Sequence, residues 1–299
     1  MDMSQSQGYI SEGLETLFFF LIIAIGACYF ARSRGFFHLT LRSNPIIKDQ
    51  LKIHHVLSCF GIYLGYSIIL MPIISYLIRK TLSFFSINTI APIAILSTLQ
   101  LISMILIIAT LALYGKKIAP TLMRKIWKDK LIPDDTHPFF DWLMGSLTWL
   151  IGFPVVAVIG QICDLIIYAF FGMQTYEQVA VRYLKMTLNS TPMLLIALFT
   201  ILIAAPIVEE FLFRGLLQNW LKNKLGTKAA ILIASLFFAL FHLSSSQGIG
   251  NISLAITLFS FACFLGFIYE KRASLFASIG LHMTFNAVST FRILFFSDS

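Results

Sequence analysis

Charge is scarce in this sequence. Only 12% of its 299 residues are Asp, Glu, Lys or Arg, and 58% are hydrophobic. A soluble domain is about a quarter charged, so no separate folded soluble domain is expected. The four cysteines, Cys28, Cys59, Cys163 and Cys263, all fall in apolar stretches and form no C-x-x-C pair. They read as small buried hydrophobes rather than a disulfide framework or a redox pair. Met1 to Glu15 has no Lys or Arg. The first apolar run therefore lacks the basic flank of a cleavable signal and is expected to stay as a transmembrane helix. No repeat, no low-complexity tract and no H-E-x-x-H helix is present. A formal charge of +8 is not joined to any nucleic-acid-binding motif, so no nucleic acid is expected as a partner.

What is abundant is apolar runs of spanning length, about 20 residues. Eight stand out: 16–31, 56–78, 90–114, 142–171, 192–213, 229–243, 252–269 and 273–293. The sixth is short, and the fourth contains Pro154, which predicts a kink. The expected fold is all-α, a polytopic membrane helix bundle of about eight transmembrane helices. Its basic residues divide unevenly. Alternate connections, counting from the first, carry five (Arg32, Arg34, Arg42, Lys48, Lys52), six (Lys116 to Lys130), four (Arg214, Lys222, Lys224, Lys228) and two (Lys271, Arg272), seventeen of the 22. By the positive-inside rule those connections are cytoplasmic and both termini lie outside. The segment 244–251 reads as a flexible, uncharged exterior loop. A division at about residue 190 is expected, with helices one to four and their basic loops in 1–190, and 191–293 carrying the chemistry.

That expectation rests on Glu209-Glu210-Phe211-Leu212-Phe213-Arg214, set in apolar sequence from Pro192 to Leu221. An ionisable side chain at bilayer depth costs about 3 kcal/mol on insertion scales, and such groups mark functional sites. Glu210 and Arg214 are four apart, about 40° round a helix, and can pair. Glu209 points about 140° from Arg214 and has no partner on its own helix. An unpaired carboxylate of this kind suits general-base work on water. His242 follows Phe238 by four and shares its helix face. His282 and Asn286 are also four apart, so imidazole and amide project together. Such a pair can bind an oxyanion, hold a water or ligate a metal. The bland alternative is a structural triad of Glu209, Glu210 and Arg214 tying helices together.

Glu209-Glu210-x-x-x-Arg214, Phe238-x-x-x-His242 and His282-x-x-x-Asn286, in that order on separate helices, resemble the CPBP (Abi) family. That family comprises type II CAAX prenyl endopeptidases and bacteriocin-processing intramembrane metalloproteases, and the resemblance covers about 190–290. It implies that Glu209 activates the attacking water, His242 helps to hold it, and His282 with Asn286 stabilises the oxyanion. Glu210, Arg214 and Phe238 would support the site. The resemblance leaves zinc open: Glu209, His242 and His282 could hold it with a free coordination position. The reading is an endopeptidase of a bacterial inner membrane, its site open to the cytoplasm, acting on a membrane protein or a lipidated peptide among the membrane lipids.

The reading has a geometric requirement: Glu209, His242 and His282 must line one cavity. A fifth helix ending near Arg214 would leave His242 deeper than Glu209, and one reaching Leu221 brings them closer to level. Two other classes stay open, a proton- or ion-coupled transporter and a non-catalytic bacteriocin-immunity membrane protein. Asp164 could line the cavity but is expected to be hydrogen-bonded between helices. Gly61-x-x-x-Gly65 predicts close helix packing. His38, His54, His55 and His137 are expected on solvated loops. The 29 Phe residues read as mostly lipid-facing bulk rather than a binding box.

Overall fold

The computed structural model describes residues 3–39, 45–86, 91–118, 120–128, 137–172 and 178–296. Arg42 and Lys130 of the charge count, and residue 90 of the third apolar run, lie outside them. The helices in chain order are α1 (Met3–Ser33), α2 (Pro45–Gln50), α3 (Ile53–Phe84), α4 (Pro92–Ile118), α5 (Pro120–Trp127), α6 (Pro138–Phe171), α7 (Val179–Thr187), α8 (Thr191–Leu225), α9 (Thr227–Leu240), α10 (Gly250–Arg272) and α11 (Leu275–Phe296). Among the described residues, seven helices are long and apolar enough to cross a membrane: α3, α4, α6, α8, α10, α11 and the Gln7–Ser33 part of α1. The expected eighth, α9, is an apolar helix of 14 residues, about 21 Å long and shorter than a bilayer core. The chain is a polytopic all-α bundle.

Helix α6 runs unbroken through Pro154 and packs against α1, α10 and, most extensively, α11. The α6–α11 crossing is close because each helix presents a glycine. A Cβ on Gly145 would stand 1.8 Å from the Ala277 carbonyl oxygen, and one on Gly280 2.2 Å from that of Trp142. No other residue fits there. At the cytoplasmic end predicted by charge, Arg272 donates to Asp141 Oδ1 from Nε (2.9 Å) and Nη2 (2.7 Å), and Lys128 lies 3.4 Å from Oδ2. Asp141 is buried, so three segments are tied at one carboxylate.

Several sequence expectations change. A Cβ on Gly61 or Gly65 would meet nothing within 4 Å, so this pair mediates no close helix contact among the described residues. The chain instead forms a π-turn at Gly65–Leu70. His55 is buried rather than solvated, and its Nδ1 accepts from the Lys52 amide at the start of α3. His137 is exposed as expected and also caps α6 by accepting from the Phe139 amide. Arg214 lies inside α8, fully buried, and does not belong in a loop count; the basic excess on that side remains. The segment 244–251 is stapled rather than loose. Ser244 and Asn251 bond reciprocally, amide to side-chain oxygen (3.2 Å) and side-chain nitrogen to carbonyl (2.8 Å), and Gln247 is buried.

Candidate functional site

The site is built on α8, which runs without interruption from Thr191 to Leu225. Glu209 therefore sits near its middle. Gly226 then turns the chain with φ +81°, a conformation that favours glycine. Glu209 precedes Gly226 by 17 residues and His242 follows it by 16, so both stand about 25 Å from the turn and come level. This hairpin symmetry removes the depth mismatch that a short fifth helix would create.

Helix α8 is not regular. It has π-turns at Thr200–Ala204 and Phe211–Gln218, a feature frequent at functional sites. Within the first, the Ala205 amide bonds back to the Thr200 carbonyl. Continued by one residue, that pattern would pair Pro206 with Ile201, but proline has no N–H to give. The Ile201 carbonyl instead accepts from Asn286 Nδ2 at 2.9 Å. Asn286 thus ties α11 to α8, and one amide hydrogen is left for other use.

Glu209 Oε2 is 3.6 Å from His242 Nε2 and 3.8 Å from His282 Nε2. The other ring nitrogens are already engaged. His242 Nδ1 is 2.8 Å from the Phe238 carbonyl, which can only accept, so Nδ1 carries the proton. His282 Nδ1 is 2.9 Å from Glu210 Oε1. Both imidazoles are thereby oriented with Nε2 towards Glu209. Glu210 Oε1 also accepts from Arg214 Nη1 at 3.0 Å, and Arg214 Nη2 donates to the Ala262 carbonyl at 3.1 Å. The guanidinium lies over the Phe238 ring, 4.6 Å from its centroid.

Glu210 and Arg214 side chains are at most 1% exposed and His282 5%, against 14% for Glu209 and 33% for His242. The arrangement is thus a buried support with an accessible face at Glu209 and His242. Aromatic rings close around it: Phe238 against both histidines, Phe261 edge-on to His282, and Phe213 between Phe60, Phe238 and Phe241. Phe213, Phe238 and Phe261 are buried around the site, while Phe241 is exposed.

Zinc with nitrogen and oxygen ligands at about 2.0–2.1 Å would set ligand atoms about 3.4 Å apart. The two Glu209–histidine separations are slightly wider. Among the described residues no group of three or more His, Cys, Asp or Glu side chains is arranged to hold a metal ion. As placed, Glu209, His242 and His282 stand a few tenths of an ångström wider than a zinc-bound set, and the steps proposed below use side chains alone. Asp164 accepts from the Ser253 hydroxyl at 2.7 Å, an interhelical bond between α6 and α10 at an exposed position.

Sequence reasoning missed two features. It assigned Glu210 to Arg214 alone, whereas the carboxylate also holds His282. It also passed over a polar ladder between α8 and α10. Arg214, Gln218 and Lys222 reach Ala262, Gly266 and Glu270: Gln218 Nε2 donates to the Gly266 carbonyl (3.2 Å) and Glu270 (3.0 Å), and Lys222 pairs with Glu270. The signal was present, since each set is spaced by four.

Residues 191–288 match the family model described as type II CAAX prenyl endopeptidase Rce1-like. The interval opens at the first residue of α8 and includes Glu209, Glu210, Arg214, Phe238, His242, His282 and Asn286. The match supports protease activity in general for a protein embedded in the membrane. No curated protein and no solved structure matches the chain.

Proposed function

We propose that this chain is an intramembrane endopeptidase that hydrolyses a peptide bond of a membrane-associated protein or lipidated peptide through water activated by Glu209. One observation carries this reading: a single carboxylate oxygen, Glu209 Oε2, faces two oriented imidazole nitrogens at 3.6 and 3.8 Å. Groups at that spacing can all reach one water. The water would give one hydrogen to Glu209 and the other to the lone pair of His242 Nε2. Its oxygen would attack the carbonyl carbon while Glu209 takes the proton, later delivered to the departing amine.

His282 protonated on both nitrogens would donate Nε2–H to the developing oxyanion while Nδ1–H stays on Glu210. The spare amide hydrogen of Asn286 would add a second donor. In that state Glu209 and Glu210 balance Arg214 and His282, and a neutral set suits a buried site. The charge distribution of the loops supports an orientation with the basic connections and the Gly226 turn on the cytoplasmic side. A prenylated CAAX-type peptide is the substrate class favoured by the family match.

The test is cleavage of farnesylated and unmodified membrane peptides by purified protein in liposomes, comparing wild type with Glu209→Gln, each with and without a chelator. Wild type should cleave at least one peptide, and the variant should be slower by about 10²–10⁴-fold. Equal cleavage by both proteins would remove Glu209 from the mechanism. Loss of wild-type cleavage on chelation, restored by zinc, would replace the metal-free step with a metal-bound one.

A further inference from the structure

A second feature lies apart from the catalytic cluster. Between α4, α5 and α8 is a cleft of about 470 Å³, walled mainly by apolar side chains that include Ile108, Leu111, Met123 and Phe211. None of Glu209, His242 or His282 lines it. Two of its lining residues are cations, Lys116 near the end of α4 and Arg124 on α5. Both are exposed, and neither makes a hydrogen bond or ion pair with a described residue. From Lys116 down to Ile108 the cleft follows α4 for about 12 Å towards the membrane interior.

The element that walls it on one side is built for a membrane surface. Helix α5 buries Leu122, Met123 and Ile126 against the bundle and turns Arg124 outward, with Lys125 half-buried beside it. It ends at Trp127, stacked on Phe211 of α8. A short helix with one apolar face, a basic face and a terminal tryptophan suits the headgroup region. It sits on the side that carries most of the basic loops, where the leaflet is negatively charged. Gly115 lets α5 approach α4, since a Cβ there would stand 2.7 Å from Met123 Cγ. An apolar slot with unpaired cations at its headgroup end is the form of an anionic-lipid site between transmembrane helices.

We propose that this cleft holds one anionic phospholipid, its phosphate paired with Lys116 and Arg124 and the upper part of an acyl chain lying between α4 and α8. The lipid would brace α8 at Ile207, Val208 and Phe211, on either side of the two glutamates. This does not depend on the peptidase reading, because its test measures lipid rather than cleavage.

The full chain in mild detergent is offered equal amounts of phosphatidylglycerol and phosphatidylcholine, and native mass spectrometry counts the lipid retained. Wild type is expected to keep one phosphatidylglycerol in preference by about tenfold or more. The double variant Lys116→Gln/Arg124→Gln, altered only at exposed positions, should bring the two lipids to within about twofold. Ala112→Phe, which fills the cleft and keeps both cations, should release the lipid as well. Equal retention of both lipids by wild type would overturn the proposal, and that arm needs no variant. Unchanged preference in the double variant would overturn it too, as would full retention by Ala112→Phe, which would mean adsorption at the surface. Displacement by glycerol phosphate at equal concentration would show a phosphate site without a chain. A farnesylated peptide held at Lys116 and Arg124 where phosphatidylglycerol is not would make the cleft a substrate groove. Either result would overturn the lipid assignment.

Discussion

Glu209 and Glu210 are neighbours in sequence with the same chemistry, yet they occupy opposite situations. Glu210 is sealed between Arg214 and His282, while Glu209 faces two histidines at the accessible side. The physical cause is the 100° step of a helix, which sends adjacent side chains to different neighbours. Substitution should separate the two roles. Arg214→Ala leaves Glu210 buried without its cation and should destabilise the fold by about 3–5 kcal/mol. Glu209→Gln keeps the shape and should stay within about 1 kcal/mol of wild type. Thermal unfolding in detergent measures both, and equal midpoints would mean that Arg214 is solvated rather than paired. The Glu210–Arg214 pair was legible from its spacing. The Glu210–His282 bond was not, because it joins residues 72 apart through packing alone.

At the scale of elements, catalytic geometry depends on how α11 meets α6 and α8. His282 is two residues beyond Gly280, whose contact with the Trp142 carbonyl leaves no room for a methyl group. Gly280→Ala should push α11 away from α6 and move His282, and a shift of about 1 Å can cost 10²-fold in rate. Gly61→Ala, with open space around it, should leave both stability and rate within error of wild type. Peptide-cleavage rates and unfolding midpoints for the pair would check this; loss of activity in Gly61→Ala alone would point to a contact of α3 outside the described chain. Sequence pattern singled out Gly61 and Gly65 and gave no sign of Gly145 or Gly280. Gly61-x-x-x-Gly65 carries the familiar spacing, while Gly145 and Gly280 stand singly on two different helices. Their complementarity exists only once the helices cross. Asn286 shows the same limit: its tie to Ile201 requires a π-turn followed by Pro206, and the turn is not visible in composition.

For the whole molecule, the bundle places its basic connections together at one end and the stapled 244–251 turn at the other. In a variant otherwise free of cysteine, a membrane-impermeant maleimide should label Ser246→Cys in intact cells and Lys224→Cys only after the membrane is opened. The reverse pattern would invert the proposed orientation. Sequence by itself determined the class of this protein: apolar runs of spanning length can satisfy their backbone in lipid only as helices or closed barrels, and their length selects helices. It also determined which residues are expensive enough at bilayer depth to need a reason, Glu209, Glu210, Arg214, His242 and His282 among them. Tertiary structure decided which of those residues meet. Helix α8 extends to Leu225 and Gly226 folds it back, so Glu209 and His242 come level, and the glycine-lined crossing of α6 and α11 delivers His282 to the same carboxylate. Those outcomes depend on helix length, turn geometry and close packing between segments far apart in the chain, and such properties belong to pairs of helices rather than to any one of them.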